Sequence, residues 1–484
     1  MKMLYIGIDL GTSSVKLALF DGHEILRTAR RSYPVYHPRD GWSEQNPEDW
    51  YAAVLSGIRE LVRGLDACDI AGISFSGQMH GLVTLDGDGK VLRRAILWND
   101  GRSEEQAHRL NETPGESYLV EHTGNIAFAG FTAPKLLWMR ENEPDLFARI
   151  DKVLLPKDYI AYRLTGRVAT DVTDASGTLL FDVKNRSWSQ EMCELCGVRK
   201  EWLPDVLEST QASGTLCPQV CDLLGLCPRT KVIIGAGDNA ASAVGVGATA
   251  DGACNISLGT SGTMLVSCKE YVRLSNHSVH FFCHANGSYL ALACILSAAC
   301  ADEWWIKTVL QSDFNYEENK ISELGNNHTY FLPYLAGERS PHNDTRARGA
   351  FVGLSLSTTR EDMTLAVMEG VAFAFRDNLE VLRKSGIDVQ SATVCGGGAS
   401  SRLWLKILCN VLDIPLRVSQ DRSAAGYGAA QLAAQGCGMK VLFPEQDGVL
   451  YAPQPEIAER YRERYRHFSM LYGALKTTYD DSFN

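Results

Sequence analysis

The sequence is short of positive charge. Lys and Arg number 47 against 58 Asp and Glu, a net charge of -11, and basic residues never run beyond pairs such as Arg30-Arg31 and Arg93-Arg94. Without a basic face, nucleic acid and anionic membrane are excluded as main partners. A phosphate compound can still be held locally, by backbone amides or a metal ion. Long apolar runs are missing too, and none approaches bilayer length. The opening MKMLYIGIDL enters a strand pattern where a secretory signal would carry an apolar core and a small-residue cleavage site. The expected residence is therefore cytoplasmic. No low-complexity tract suggests a tail or tether. No G-x-x-x-x-G-K-[ST] loop is present, which rules out an ordinary P-loop nucleotide site. The 14 cysteines are scattered, several in apolar segments (Cys294, Cys300, Cys395, Cys409), as expected of reduced, buried thiols. The tight sets, Cys193 with Cys196 and Cys217 with Cys221, lack the second half of a zinc site.

What is present is a long chain with repeated punctuation. Its 484 residues suit two domains, each able to bury its own core. The first twenty residues read as a hairpin, YIGIDL and VKLALFDG around the turn GTSS, and the pattern returns at 254–267 as CNISLGTSGTMLVS. Two copies half a chain apart suggest a duplicated architecture. Asn46-Pro47-Glu48-Asp49 reads as an N-cap, a first-turn Pro and first-turn acids, predicting a helix to about Leu65. IAGISFSG follows as a buried strand ending at Gln78-Met79-His80, and LVTLDGDGKVLRRAILWND reads as a hairpin around Asp86 to Gly89. Helices are expected near 296–310 and 360–384, then a strand into CGGGASS, a helix at 401–412 and a final amphipathic helix near 455–478. Alternating strands and helices make the class α/β, divided as 1–248 and 249–484.

Glycine and small hydroxyl residues at a strand reversal let backbone amides surround an anion. Either repeated turn alone is a tight hairpin; both together point to phosphate binding in a cleft between the halves. Asp9 precedes the first turn where Ser257 precedes the second. A carboxylate there is either a turn stabiliser or one that meets phosphates through Mg2+. Asp238, in GAGDNAASAVG, is either a helix N-cap or an accessible base. With an ordinary pKa near ~3.9 it would be ionised at neutral pH and could take a hydroxyl proton as that oxygen attacks phosphorus. In SFSGQMHG, Gln78 and His80 can hydrogen-bond a polyol while Met79 lies against its carbon face. Trp98-Asn99-Asp100-Gly101-Arg102 offers further sugar-type donors, or is a capped turn. Gly396-Gly397-Gly398, between a strand and a helix, suits either a nucleotide's base and ribose or tight helix–strand packing.

Together these residues resemble the FGGY family of carbohydrate kinases, with similarity across essentially the whole chain. GFTAPKLLWMREN (130–142) and GAFVGLSLSTTREDMTLAVME (349–369) look like its two signatures. The resemblance implies two ribonuclease-H-like (actin-like) domains flanking a central catalytic cleft. It implies ATP as donor, Mg2+ beside Asp9, and a sugar substrate. D-xylulose is preferred, ahead of ribulose, erythrulose, a ketohexose or another polyol. Asp238 would be the proton acceptor, and Met79, His80, Asp238 and Asn239 would contact the ketose, joined by Gln78 and Trp98. Gly11, Thr12, Ser13 and Lys16 would form the first phosphate turn with its following strand, Gly259, Thr260 and Ser261 the second, and Gly397 and Gly398 the adenosine pocket. A homodimer is implied as well. Gly235-Ala236-Gly237 departs from the three glycines expected before the base, and Ser242 stands where Ala or Gly is usual. The rivals are an actin-like or chaperone-like ATPase with a protein partner, and a non-catalytic sugar sensor.

Overall fold

The computed structural model describes residues 3–418, 424–440 and 448–482. It divides into two compact units, Met1–Thr249 with Phe281–Leu290 and Ser423–Phe443, and the remainder. A single cut between 248 and 249 therefore does not separate them. The helix Ala424–Gly436, which local sequence signals did not reveal, belongs with the first unit. Its small residues explain the attachment. A Cβ on Gly7 of the first strand would meet the Ala430 amide and the Gly426 carbonyl, so helix and strand approach backbone to backbone.

The first unit is built on a sheet ordered Ala212–Thr215, Lys231–Ile233, Ile70–Gly77, Leu4–Leu10, Ser14–Phe20 and Ile25–Ser32. Leu4–Leu10 and Ser14–Phe20 form the antiparallel hairpin expected around the GTSS turn. Ile70–Gly77 runs parallel to Leu4–Leu10, and Ala236–Gly237 adds parallel to Ile70–Gly77. Ile6, Ile8, Leu17, Leu19, Ile73 and Phe75 bury one continuous apolar cluster under Trp50, Val54 and Ile58 of the helix Pro47–Leu61. That helix starts where its cap predicts, with Asn46 accepting from the Glu48 amide, and stops at Leu61. Each fully buried large apolar side chain contributes about 1.5–3 kcal/mol, so this face orders the strand ends that carry the polar residues.

The segment around Asp86–Gly89 forms a turn, but its flanks do not pair as a regular hairpin. Isolated bridges join Leu85 to Val91 and Leu82 to Ile96, while Val83–Leu85 pairs with Lys152–Leu154 and Ala95–Ile96 with Glu44–Gln45. Turn chemistry was readable locally; the partners, some 50 to 70 residues away, were not.

In the second unit Gly262–Cys268, Cys254–Leu258, Ala392–Cys395, Leu416–Val418 and Leu450–Tyr451 lie side by side in that order. Cys254–Leu258 and Gly262–Cys268 are antiparallel, and Ala392–Cys395 is parallel to Cys254–Leu258, so the relation of the first strands to Ile70–Gly77 recurs. The helices Arg360–Lys384, Arg402–Leu412 and Pro455–Ser482 match the expected ones. The region 296–310 is helical over a shorter span than predicted and partly wider-wound, a helix at Ala299–Glu303 continuing into a π-helical stretch at Trp304–Val309. Among the described residues no helix is long and apolar enough to cross a membrane.

Candidate active site

Register brings the site together. In the first unit Asp9 stands opposite Ser76, Leu10 opposite Gly77, Ala236 opposite Ser76 and Gly237 opposite Gly77, all at the carboxyl ends of parallel strands. Asp238 follows as the first residue of the helix Asp238–Gly245, with Gly237 as its N-cap. Asp9 and Asp238, 229 positions apart in sequence, thus reach the same sheet edge, the usual ligand position in open α/β sheets.

The GAG departure fits this geometry. Gly235 has φ +75 and its missing Cβ would overlap the Phe75 backbone, while one on Gly237 would come within 2.8 Å of Met79 Cγ. Ala236 lies between them in ordinary strand pairing and tolerates its methyl.

Asp238 is half-buried, and its Oδ1 is buried without a hydrogen-bond partner. Burial, then the nearby Asp9 charge, pushes its carboxyl up to about 7, against the pull of the Asp238 and Asn239 amides at the helix start. The sequence-based expectation of a fully ionised carboxylate is thereby corrected. Asp9 is also raised, by burial, with Lys16 and Ser76 opposing. Ser76 Oγ donates to Asp9 Oδ1 at 3.2 Å, and Lys16 Nζ lies 3.8 Å from Oδ2 on a half-exposed side chain.

The Gln78-Met79-His80 segment wraps beside Asp238. Asn239 Nδ2 is 3.5 Å from Met79 Sδ. His80 has φ +69, a left-handed conformation that costs a non-glycine residue energy unless neighbours impose it. Its Nδ1 is 2.7 Å from the Gly177 carbonyl and its ring stacks on Phe131 at 4.6 Å. Its own carbonyl accepts from Lys135 Nζ at 2.9 Å and Thr132 Oγ1 at 3.1 Å. Lys135 also donates to the Gly130 carbonyl at 2.7 Å, and burial lowers its ammonium to about 7. Lys135 lies inside GFTAPKLLWMREN, yet nothing in an isolated lysine announces that it clamps a distant backbone.

Gln78 is placed differently from the others. It is 2% exposed, and its amide donates to Gln45 Oε1 at 3.0 Å. Gln45 also accepts from Trp50 Nε1 at 3.0 Å and donates to the Thr12 carbonyl at 2.6 Å. One buried amide, absent from the sequence-derived candidates, therefore ties the first glycine turn to the QMH segment. Trp98, 48% exposed, donates its indole N–H to Thr12 Oγ1 at 3.0 Å. Within the turn, the Gly11 amide donates to the Ser14 carbonyl at 3.2 Å, and Tyr33 O–H caps the Gly11 carbonyl. Thr12 is partly exposed and Ser13 is exposed.

The second unit assembles the remaining candidates. Gly259 is partly exposed, Thr260 and Ser261 are exposed, and the Gly259 and Thr260 carbonyls accept from the Ala299 and Ala298 amides at 2.8 and 3.1 Å. Gly396 has φ +95 and packs with its α-carbon against Leu258, where a Cβ would come within 2.7 Å of the backbone. This close approach sets the glycine cluster beside the second turn. Gly397 and Gly398 line a cavity of about 740 Å³ with Asp302, Glu318, Arg402 and Trp404. Burial, with Glu318 adding, raises Asp302 to about 7. Neither acid stood among the sequence-derived candidates.

Family models for the FGGY carbohydrate kinases match most of the chain, the N-terminal domain at residues 4–245 and the C-terminal domain at 254–437. The chain belongs to the FGGY family of carbohydrate kinases. A xylulose kinase of Escherichia coli (strain K12) is 38% identical, covering 98% of this chain and 99% of its own. A crystal structure of a xyloylose kinase from Brucella ovis superposes with TM-score 0.93 at 39% identity, covering 98% of this chain and 100% of that one. A gluconate kinase from Lactobacillus acidophilus also reaches TM-score 0.93, at 28% identity over 99% of both chains. FGGY membership brings the two-domain actin-like architecture and ATP as phosphoryl donor.

Proposed function

We propose that the protein phosphorylates D-xylulose at its terminal hydroxyl, giving D-xylulose 5-phosphate and ADP, with Asp238 as general base. The observation that carries this reading is the Asp238 carboxyl, half-buried, with one oxygen unpartnered and a pKa of about 7. A base serves best when its pKa lies near the working pH, since it is then both ionised and strongly basic. The hydroxyl oxygen forms its bond to the γ-phosphorus as the bond from phosphorus to the ADP oxygen breaks. The hydroxyl proton passes to Asp238. Met79, His80, Asn239 and Trp98 hold the sugar, while Gln78 acts through Gln45.

Gly11 to Ser13 with Lys16, and Gly259 to Ser261, offer amides and hydroxyls to the nucleotide's phosphates, and Gly397 and Gly398 leave room for its adenosine. Mg2+ fits the residues present. Among the described residues, Ser76 and a lysine at 3.8 Å offset Asp9, and the Asp238 carboxyl is close enough for the two charges to act on each other. Among the described residues no group of three or more His, Cys, Asp or Glu could hold a metal, so an ion at Asp9 would complete its shell with phosphate oxygens and water, as Mg2+ commonly does. When bound, it would neutralise charge on the transferring phosphoryl group. The reaction suits a cytoplasmic enzyme.

The test is ADP release measured with xylulose, ribulose, erythrulose, ketohexoses, glycerol and gluconate. Gluconate belongs there because the gluconate kinase above shares the fold closely. Preference for xylulose by kcat/KM is expected; a better substrate elsewhere in the panel overturns the sugar assignment, and turnover indifferent to every sugar overturns the kinase reading.

A further inference from the structure

Beneath Asp238 lies a charge cluster that the reaction above does not use. Lys157, on the helix Pro156–Thr165, has a fully buried side chain and meets three fully buried carboxylates: Asp158 Oδ1 at 2.5 Å, Asp171 Oδ1 at 2.9 Å and Asp174 Oδ2 at 3.4 Å. Burial alone would strip the lysine of its proton, but the carboxylates outweigh it and hold the ammonium charged. Asp174, with neither oxygen hydrogen-bonded, is pushed well above the carboxylate range by burial. Such a cluster is costly to assemble and a weak source of net stability.

The geometry leads from this cluster to the base. Asp171 Oδ2 accepts from the Thr173 amide at 2.9 Å, Thr173 Oγ1 at 2.6 Å and Ser209 Oγ at 2.7 Å. With its hydroxyl proton committed to Asp171, Thr173 turns an oxygen lone pair to the Gly237 amide, which donates to it at 2.9 Å. Gly237 immediately precedes Asp238 and caps its helix. The stem of Lys157 supports the same point from below, since a Cβ on Gly77, the strand partner of Gly237, would lie 2.8 Å from Lys157 Cβ.

We infer that Thr173 is a positioning residue for phosphoryl transfer: held by the Lys157–Asp171 pair, it fixes the Gly237 peptide and so aims the Asp238 carboxylate at the attacking hydroxyl. The inference rests on Asp238 being the base. Two properties of the network favour this role over bulk stability. The hydroxyl is both donor and acceptor, so only Ser or Thr completes the chain from Asp171 to Gly237. The connection ends on a backbone amide one residue from the reacting group, where a small displacement is felt in the rate.

The experiment compares Thr173→Ser with Thr173→Ala, which both lose the methyl and differ only in the hydroxyl, alongside Asp238→Asn. With Asp238→Asn inactive, kcat of Thr173→Ala should fall at least about tenfold below that of Thr173→Ser. KM for D-xylulose and for ATP should agree between the two within about twofold. Equal kcat values, or a loss carried by KM, overturn the positioning role while leaving the base assignment standing. Near-parental turnover in Asp238→Asn overturns the base assignment itself. Thermal melting of each variant separates misfolding from slow chemistry. If Thr173→Ala does not fold, Thr173→Val, which keeps the volume, is compared with Thr173→Ser by the same criteria.

Discussion

The two glycine turns stand on the same scaffold and carry different chemistry. Each joins two antiparallel strands, with a third strand parallel to the first: Leu4–Leu10, Ser14–Phe20 and Ile70–Gly77 in one unit, Cys254–Leu258, Gly262–Cys268 and Ala392–Cys395 in the other. At equivalent register the first unit sets Asp9 between Ser76 and Lys16, and the second sets Ser257 between Cys395 and Thr263. One turn therefore lies beside two carboxyls that burial lifts, Asp9 and Asp238, the second lifted further by the Asp9 charge; the other is flanked by neutral groups and leads to a cavity. Duplicated geometry supplies two strand-reversal turns of the same kind, and a single carboxylate distinguishes them; the proposed proton and metal chemistry falls on the side that carries it.

The largest effect should come from removing the base. Asp238→Asn is expected to lower kcat by about 10³-fold or more while changing the sugar Kd by less than about threefold, by steady-state kinetics and calorimetry. Making the first turn resemble the second, Asp9→Ser, should lower kcat roughly 10²-fold and raise the Mg2+ concentration needed for half-maximal rate. The pH profile comes next. The base must be ionised to accept a proton, so kcat/KM, which reports the free enzyme, should fall with acidification through about 7, approaching tenfold per pH unit below it. The reverse conversion, Ser257→Asp, puts an uncompensated charge beside the second turn. It should raise KM for ATP roughly tenfold, leaving kcat at saturation within about twofold.

The smallest effect is on stability, and its sign is opposite to that of a structural ion pair. The Asp238 carboxyl sits at about 7 in the folded chain, above its ordinary range. Between those values the folded state keeps a proton that the unfolded state has released, so its contribution favours folding in acid and is lost as pH rises through 7. Asp238→Asn should accordingly melt higher than the parent at pH 8, by roughly 2 °C, with the gap closing toward pH 4.

Much of the fold was legible because its signals are local. Asn46-Pro47 announces a capped helix, the Gly/Ser/Thr reversals announce two hairpins, and the positions flanking Asp238 are small because bulk there collides with Phe75 or Met79. The site was only partly legible. Met79 packs at Gly237 and meets Asn239, the neighbours of Asp238 on either side, whereas His80 turns to the Gly177 carbonyl and Phe131, and Gln78 faces inward to Gln45. Gln45, Lys135 and Thr173 gave no signal, since each acts on a backbone group 33 to 64 residues away. Asp302 was equally silent, because Glu318, Gly397 and Trp404, which line its cavity, are distant in sequence.

By itself the sequence determined the class, the duplicated strand–turn–strand units, the carbohydrate-kinase membership and the small set of residues able to move a proton. Only the tertiary structure decided that Asp9 and Asp238 share a sheet edge, that burial and this proximity lift the Asp238 carboxyl toward neutral pH, and that a helix beyond residue 423 closes the back of the first sheet. The division has a physical cause. Caps, turns and periodicity act within a few residues, whereas the energy of a charge depends on which other charges, amides and solvent it meets, and those are chosen by strand order and register across the whole chain.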